Sequence, residues 1–304
     1  MIERERQETG RIVYSCTGDG KTLRNILEEE LNMSSRFMSK LKKTKTIYVN
    51  GKFKKFDYKV SSGDIVDIVM EEEESGFDAQ EIEVSVKYED FDMVVVDKPP
   101  FMVVHPTKSH DSGTVANAIA NYFQSKGYQI RIRFVNRLDM NTSGLVMIAK
   151  NPYAHHIISE EMKSNNVVKK YRTIVKGVVK DDEGTIDEPI YRPTEDSIMR
   201  TADPRGQRAL THYSVMERYE DASLLDVRIE TGRTHQIRVH MKHIGHPVIG
   251  DELYGEADEN LIGRQALHAY SLEFSQPRTK EKARVSADIP QDMQDLIWKL
   301  KKRG

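Results

Sequence analysis

The sequence predicts an α+β protein, in which a small N-terminal unit precedes a larger domain with a mixed, largely antiparallel β-sheet and flanking helices. Two observations indicate this fold class. Segments with the apolar patterns of strands outnumber helical segments along the 304-residue chain. The two kinds of segment also lack the regular alternation that is typical of a doubly wound parallel sheet. A chain of this length can form one large domain and one small one.

The composition is that of a soluble globular protein. Hydrophobic residues make up 38% of the chain and charged residues 31%, and no apolar run approaches the roughly 20 residues that span a bilayer. The single cysteine, Cys16, excludes an internal disulfide framework and a Cys-rich zinc site. The N-terminal segment MIERERQETG lacks the apolar stretch of a signal peptide. We therefore expect a cytoplasmic protein that does not associate with membranes.

The net charge of −2 hides a segregation of charge along the chain. Nine lysines and arginines lie between Arg36 and Lys59, against one acid, Asp57, and the acidic segment EEEESGFDAQEIE follows at residues 71–83. A basic face on one unit can bind phosphates even when the whole chain is near neutral. A solvated charged surface is the alternative interpretation, and for a charge run alone it is the more common one.

The N-terminal unit, assigned to residues 11–72, contains two short helices and a small sheet. The first helix is predicted from apolar residues that recur at helical spacing, namely Leu23, Ile26, Leu27 and Leu31. SSRFMSKLKK then provides a serine cap and a second helix, and TIYVNG and GDIVDIVM follow as strands. This arrangement resembles the alpha-L RNA-binding motif of a ribosomal small-subunit protein and of many RNA-modifying enzymes. The resemblance implies that basic residues of this unit contact RNA, namely Arg36, Lys40, Lys42, Lys43 and Lys45.

Residues 73–82 are predicted to form an acidic linker, because glutamates and a Ser-Gly pair without periodicity offer no face to bury. The larger domain then spans residues 83–304. Its strand-like segments are EVSVKYED, MVVVDK, GLVMIAK, KKYRTIVKGVV, ALTHYSVMERY, SLLDVRIE and KARVSADI. Its helical segments are GTVANAIANYFQSK, NPYAHHIISEEMKS, THQIRVHMKHIG and QDMQDLIWKLKK.

The segment THQIRVHMKHIGH contains four histidines, at positions 235, 240, 243 and 246. A metal site is one interpretation of this cluster. However, no two of these histidines have the i,i+4 spacing of metalloprotease helices, and no HExxH-type glutamate lies between them. We therefore expect no metal, and interpret the histidines as structural or RNA-facing. Apolar side chains share one face of this predicted helix, with Arg238 and His235 on the opposite side.

The stretch NRLDMNTSGL places Asp139 in a turn-forming tract before the apolar run LVMIAK. An arginine on a helix face can hold a carboxylate in its ionised form through a charge-assisted contact, and Arg238 would be such a partner for Asp139. From spacing alone, Asp139 as a turn or capping residue is at least as well supported.

RFVNRLDMNTSGLVMIAK resembles the catalytic motif of RluA-type pseudouridine synthases, enzymes that isomerise uridine in structured RNA. Further stretches agree with this family in its own order: VVVDKPPFMVVHPT (94–107), VVKKYRTIVKG (167–177), TGRTHQIRVHMKHIGHPVIGDELYG (231–255) and RQALHAYSLEF (264–274). Together they span essentially the whole second domain. The long histidine-glycine-proline block is the most specific of them.

The resemblance implies a role for each matching residue. Asp139 matches the catalytic aspartate, and Arg137 the arginine implicated in displacing the target base or stacking on it. Tyr171 matches the aromatic residue that packs on the uracil, Arg238 the basic partner of the aspartate, and Leu267 an apolar residue of the base pocket. From their residue types alone, Tyr171 and Leu267 would be core residues.

Two positions depart from the family's pattern. The family usually has histidine where this chain has Asn136, and glycine is common where Phe101 stands. Asn136 can still donate and accept hydrogen bonds, so we keep it, together with His235, among the expected substrate-binding residues.

The implied reaction breaks the nitrogen glycosidic bond of a uridine, turns the bound uracil and rejoins it to the sugar through carbon. One carboxylate can assist by attacking or stabilising the sugar carbon, or by removing its neighbouring proton, and both routes remain open. No redox change occurs, so no metal or cofactor is expected. A target base must leave its stack to reach such a carboxylate.

The expected partner is RNA, with large-subunit ribosomal RNA favoured and transfer RNA as the alternative, and the expected working unit is a monomer. Two other functions are compatible with parts of the pattern. One is a catalytically silent RNA-binding or ribosome-assembly factor, which need not keep Asp139, Tyr171 and Arg238 together. The other is a histidine-based metal hydrolase, which a metal analysis of the purified protein would test.

Overall fold

The structure, a computed structural model, describes residues 1–2, 8–71, 74–107 and 109–303. Within these residues the strands are β1 (Arg11–Ser15), β2 (Ile47–Val49), β3 (Lys52–Phe53), β4 (Ile65–Val69), β5 (Ser85–Glu89), β6 (Met93–Lys98), β7 (Arg133–Phe134), β8 (Ser143–Ala149), β9 (Val168–Lys176), β10 (Glu183–Asp187), β11 (Ile190–Tyr191), β12 (Thr201–Ala202), β13 (Leu210–Arg218), β14 (Ala222–Ile229), β15 (Leu267–Ser275) and β16 (Lys282–Ser286). The helices are α1 (Leu23–Asn25), which continues as a π-helical turn (Ile26–Glu30), α2 (Ser35–Thr44), α3 (Val115–Ser125), α4 (Pro152–Lys163), α5 (Gln236–His243) and α6 (Gln291–Lys301).

The N-terminal strands form an antiparallel sheet in the order β1-β4-β2-β3. Helix α2 begins where the Ser34 side chain accepts a hydrogen bond from the backbone N–H of Phe37, 3.3 Å away. Its buried side is apolar and includes Phe37, Met38 and Leu41. The apolar spacing therefore directs one side of α2 into the core and leaves its lysines and arginine on the outside.

The predicted boundary between residues 72 and 73 lies outside the described residues. In the following segment, Asn117 of α3 donates a side-chain hydrogen bond to the Asp78 carbonyl (2.9 Å) and accepts one at its own carbonyl from the Gln80 N–H (3.2 Å). Phe77 packs against the core of the larger unit. The sequence predicted that this segment has no face to bury. In the structure its Phe77 side chain is partly buried against the larger unit.

The larger sheet has ten strands in the order β10-β13-β14-β9-β15-β8-β6-β5, with β16 paired to β15 and β7 paired to β8. Among the described pairings of this sheet, β15 with β8 is parallel and the others are antiparallel. Every residue of β8 is buried. The expected mixed, largely antiparallel sheet with flanking helices is thus confirmed.

Helices α3 to α6 occupy the four segments predicted to be helical. The predicted arrangement of the third of them, α5, needs correction. His235 lies before the helix as its N-cap residue, in the left-handed conformation (φ 58°), and Arg238 is only 5% exposed. Both sides of α5 are buried. Ile237 and Met241 lie in the apolar core, whereas Arg238 and His240 are buried with hydrogen-bonding partners, Asp251 and Thr211.

The two units share packing through α4. Tyr153 and Ile157 of this helix belong to the apolar cluster of the N-terminal unit, whereas Ala154 and Ile158 belong to a cluster of the large sheet. Consecutive faces of one helix thus support both units. Within the described residues, none of the helices is long and apolar enough to cross a membrane.

Candidate active site

A cleft of the larger unit brings six of the seven predicted catalytic and substrate-binding residues together. They are Arg137, Asp139, Tyr171, His235, Arg238 and Leu267. They come from the β7–β8 loop, β9, the start of α5 and the start of β15. Residues spread over about 130 positions of the chain thus form one site, although no local pattern in the sequence connects them.

Asp139 lies in the turn that precedes β8, where the Thr142 N–H donates to the Asp139 carbonyl (3.1 Å). Gly144, the second residue of β8, has a φ of 115°. A Cβ at this position would lie 2.3 Å from the Ala269 carbonyl oxygen, so only glycine allows β8 to approach β15 this closely. The Asn-Thr-Ser-Gly tract therefore presents Asp139 at the edge of the buried sheet.

Arg238 links Asp139 to a second, buried carboxylate. Its Nη1 lies 3.1 Å from Asp139 Oδ2, while its Nε and Nη2 donate to the two oxygens of Asp251 at 2.6 and 2.7 Å. Asp251 is fully buried and also accepts backbone N–H bonds from Leu253 and Tyr254. Burial lowers the pKa of Arg238, but Asp251 and Asp139 outweigh it, and the pKa is raised. Arg238 is therefore a fixed cation beside a half-exposed Asp139.

His235 lies on the other side of the same carboxylate, with its Nε2 3.9 Å from Asp139 Oδ2. Tyr254 Oη lies 2.8 Å from His235 Nδ1 and accepts the backbone N–H of Arg200 at 2.7 Å. When the hydroxyl hydrogen is donated to Nδ1, the ring proton of His235 is on Nε2, toward Asp139. Burial lowers the pKa of His235 more than the Asp139 charge raises it, which favours the neutral ring.

Tyr171 and Leu267 form the apolar side of the cleft. They are 7% and 4% exposed and lie on β9 and β15, which pair in the sheet. Burial, with a smaller contribution from the Asp139 charge, raises the pKa of Tyr171. Its phenol therefore stays protonated in the neutral pH range.

Two buried cations hold the backbone next to Asp139, and the sequence analysis assigned no role to either. Lys98 Nζ donates to the carbonyls of Pro99 (2.8 Å), Met102 (2.9 Å) and Met140 (2.9 Å). Burial is the main cause that lowers the pKa of Lys98 to about 7.

The second cation, Arg264, donates to the Asn141 carbonyl at 3.1 Å and forms two hydrogen bonds with Asp292 of α6, of 2.6 and 2.9 Å. The carbonyls of both residues that follow Asp139 are thus held by buried positive side chains. Lys98 and Arg264 lie in stretches that resemble the family, and this was the signal that could have found them.

Asn136, the seventh predicted residue, lines the adjoining cleft, and its amide is bonded to the backbone of β8. Its Oδ1 accepts the Met147 N–H (2.7 Å) and its Nδ2 donates to the Leu145 carbonyl (3.2 Å). This pairing holds the start of the β7–β8 loop against the strand. Arg137, the next residue, is exposed at the opening of both clefts.

The adjoining cleft has a volume of about 620 Å³ and shares Arg137, Tyr171, Ile229 and Arg233 with the first. Its basic lining residues are Arg137, Lys163, Lys169, Arg208 and Arg233. A basic groove that leads to a half-exposed carboxylate suits a polyanionic substrate.

The five basic residues predicted to contact RNA lie on or directly after α2. Arg36, Lys42, Lys43 and Lys45 are exposed, and Lys40 is half-buried. None of them belongs to the buried side of the helix, which is formed by Phe37, Met38 and Leu41. They are therefore accessible to a phosphate backbone.

His235, described above, and two other histidines of the cluster that suggested a metal form hydrogen bonds. The His240 ring bonds to Thr211 Oγ1 and to the Glu188 carbonyl, both at 2.9 Å, and His246 Nδ1 bonds to the Lys176 carbonyl. Across residues 1–2, 8–71, 74–107 and 109–303, no group of three or more histidine, cysteine or acidic side chains is arranged to hold a metal ion.

Known proteins with similar sequences and folds share one activity. Residues 92–243 match the RNA pseudouridylate synthase family. The uncharacterized RNA pseudouridine synthase YlyB of Bacillus subtilis is 42% identical over 262 residues, which cover 85% of this chain and 86% of that protein.

Ribosomal large subunit pseudouridine synthase D of Buchnera aphidicola is 36% identical over 317 residues, covering 98% of this chain and 100% of that protein. The solved structure of human RNA Pseudouridylate Synthase Domain Containing 1 superposes with a TM-score of 0.57 at 26% identity, over 72% of this chain and 95% of that one. The family match, the extent of these similarities and the shared fold lead to one conclusion: the chain belongs to the RluA-type family of RNA pseudouridine synthases and is an isomerase.

Proposed function

We propose that this enzyme converts specific uridines of large-subunit ribosomal RNA into pseudouridine, with Asp139 as the catalytic aspartate. The observation that carries the proposal is the position of Asp139, half-exposed in a cleft and bonded to an Arg238 that is itself fixed by buried Asp251. Similarity to a ribosomal large subunit pseudouridine synthase over nearly the whole chain supports the choice of RNA.

In the proposed mechanism, the target uridine leaves its stack and enters the cleft with its sugar toward Asp139. The carboxylate assists cleavage of the bond between the sugar carbon and the uracil nitrogen. Arg238 orients Asp139 through its charge-assisted contact. The uracil turns while still bound and rejoins the sugar through carbon, after which that carbon loses a proton and the freed nitrogen takes one up, so the product is an isomer of the substrate.

Tyr171 and Leu267 are proposed to hold the uracil while it is detached. Both are buried, and together they offer an aromatic ring and an aliphatic side chain to the base. Arg137 is proposed to replace the displaced base or stack on it. His235, near Asp139, is proposed to contact the substrate through its Nε2.

The N-terminal unit is proposed to be an alpha-L RNA-binding module at residues 11–72, joined by an acidic segment at 73–82 to a catalytic domain at 83–304. The exposed basic side chains of α2 support this role, because they can neutralise phosphates at a distance from the cleft. All the proposed catalytic residues come from one chain, which supports a monomer as the working unit.

The substitution Asp139→Asn tests the catalytic assignment. We expect no pseudouridine in transcribed large-subunit ribosomal RNA treated with this variant, while its affinity for the RNA stays within a few fold of wild type. The amide keeps the shape of the side chain but removes its charge, and most phosphate contacts lie elsewhere.

The control is Asp295→Asn, at an exposed carboxylate on α6, which should form pseudouridine at the wild-type rate. Near wild-type product formation by Asp139→Asn would overturn the assignment. If the wild type modified transfer RNA but not ribosomal RNA, the choice of substrate would be wrong and the role of Asp139 would stand.

A further inference from the structure

Phe101 is a large aromatic residue whose ring the fold leaves in solvent. Its side chain is 61% exposed, in the loop that follows β6. Exposed phenylalanines are common singly and need no function by themselves. The backbone at this position makes Phe101 different from an ordinary exposed residue.

The backbone of Phe101 has a φ of 61°, in the left-handed region. Glycine adopts this conformation without penalty, whereas a bulky side chain is strained there. The fold thus keeps a residue that is unfavourable for its own backbone, with its ring outside the core. Strain of this kind is typically retained at functional sites, where the side chain has a use.

The loop of Phe101 is tied to the β7–β8 loop. The Lys98 ammonium donates to the carbonyl of Met102, next to Phe101, and to that of Met140, next to Asp139. Four residues after Phe101, His105 lines the basic cleft together with Arg137. The exposed Phe101 ring is therefore carried by a loop that lies next to the site in which the target uridine is proposed to bind.

Met140 adds a second exposed apolar side chain, at 36% exposure, on the same bridged pair of loops. Phe101 and Met140 are two of the large hydrophobic residues that the described part of the chain exposes. The basic lining of the cleft suits phosphates, and apolar groups at its border suit the faces of unpaired bases.

We propose that Phe101 is a nucleobase-stacking residue, which holds an unpaired base of the substrate RNA next to the target uridine. The proposal rests on the proposed function, since it needs an RNA strand in the cleft. Removal of the target uridine from its stack leaves a neighbouring base with one bare face, and the Phe101 ring can cover that face. The ring is already exposed in the absence of RNA.

The test compares variants of Phe101 in the full-length protein. The probe is a transcribed fragment of large-subunit ribosomal RNA that contains the uridine modified by the wild type. We expect Phe101→Gly to weaken binding of this fragment roughly 5- to 100-fold, the reduction typical of removing one base stack. Phe101→Tyr should bind as the wild type does, and Phe101→Leu should fall between them.

Trp298→Ala removes an aromatic side chain of similar exposure (58%) from α6 and serves as the matched control, with unchanged binding expected. Ultraviolet light should cross-link Phe101 to a nucleotide adjacent to the target uridine, and mass spectrometry should identify the linked residue and nucleotide. Phe101→Gly should also unfold at the same denaturant concentration as the wild type or at a higher one, because glycine relieves the strained backbone.

Wild-type affinity of Phe101→Gly for the fragment would overturn the inference. So would a lower unfolding midpoint that Phe101→Leu restores, since the ring would then serve packing. Failure of the proposed function would give a different result from failure of this inference. In that case the wild type itself would form no pseudouridine in ribosomal RNA, and no fragment with a modified uridine could be chosen as the probe.

Discussion

Tyr171 brings both a ring and a hydroxyl into the cleft of Asp139, and the two groups imply different roles. The ring can support the uracil, whereas the hydroxyl can take part in removing the proton from the reattached carbon. Because the pKa of the buried phenol is raised, it accepts that proton only if it passes its own on, and Asp139 is the carboxylate that shares its cleft.

We expect Tyr171→Phe to bind RNA as the wild type does and to turn over at least about a hundredfold more slowly, the usual contribution of one acid–base group. Tyr171→Ala should lose binding as well, because it also removes the ring. Single-turnover rates at saturating enzyme measure the effect without the influence of binding. A phenylalanine variant within a few fold of the wild-type rate would limit Tyr171 to packing.

Lys98 makes the stability of the protein depend on pH. Its pKa is about 7 in the folded protein, mainly because of burial, against about 10.4 for an unfolded lysine. Between these values the unfolded chain binds more protons, so the contribution of Lys98 to stability rises with pH. In the variant Lys98→Met this contribution is absent at every pH.

We therefore expect the difference in the free energy of unfolding, wild type minus Lys98→Met, to grow from pH 7 to pH 9 by up to about 1.4 kcal/mol per pH unit. Urea unfolding at three pH values, followed by circular dichroism, measures it. The control Lys163→Met, at a side chain that is 72% exposed, should show a constant difference. A constant difference for Lys98→Met too would mean that Lys98 stays charged in the folded protein.

Helix α2 carries the exposed basic residues of the N-terminal unit that are proposed to bind RNA. Substituting its exposed basic residues Arg36, Lys42, Lys43 and Lys45 with glutamine should weaken RNA binding and flatten its salt dependence. Each phosphate that the protein no longer neutralises lowers the slope of log affinity against log salt by roughly 0.9 for a duplex. The apolar side of α2 is unchanged, so the fold should persist.

Titrations between 50 and 200 mM salt measure this slope. The control replaces the exposed Lys301 and Lys302 at the end of α6 with glutamine, and its slope should match that of the wild type. An unchanged slope in the α2 variant would identify the basic segment as a solvated surface.

Several of the elements that sequence patterns predicted have one buried side, as α2 does. Helices α2 to α6 were found because apolar residues recur at helical spacing and caps such as Ser34 mark their starts. Strand β15, at the centre of the large sheet, was not recognised as a strand, because the polar residues His268 and Ser271 interrupt its apolar run and its pairing shifts register between them. The short strands β7, β11 and β12 have two residues each, too few for any pattern.

The site was predictable only as far as the resemblance reached. Position in the family's motifs identified Asp139, Tyr171 and Leu267, which local patterns would have assigned to turns and core. Asp251 and Arg264 were missed because a buried charge has no local signature: it depends on a partner that only the fold brings near, as Arg238 is for Asp251 and Asp292 is for Arg264. Only the folded chain reveals such pairs.

At the scale of the whole molecule, one buried network joins the N-terminal unit to the large sheet. Arg278 forms an ion pair with Asp92 (2.7 Å), and both side chains are fully buried. The Arg278 guanidinium also donates to the carbonyls of Glu8 (3.0 Å) and Arg11 (2.6 Å). Asp92 in turn accepts from Asn151, whose amide reaches the Thr9 carbonyl. The position of the basic α2 surface relative to the cleft depends on this junction.

We expect Arg278→Met to loosen the N-terminal unit from the sheet. The substitution removes two donors to the backbone around β1 and leaves Asp92 buried without its cation, which costs about 3–5 kcal/mol. Hydrogen exchange should therefore accelerate in β1 and β4 much more than in β6 and β8, which keep their own apolar core.

The control Arg284→Met breaks an exposed pair with Glu273 and should leave exchange unchanged. The double variant Asp92→Asn/Arg278→Met should recover part of the global stability, because no buried charge is left unpaired, yet β1 should still exchange rapidly. Equal acceleration in all four strands would show that the network stabilises the large sheet and not the junction. Unchanged exchange in β1 would show that the Tyr153 and Ile157 contacts of α4 hold the two units together without it.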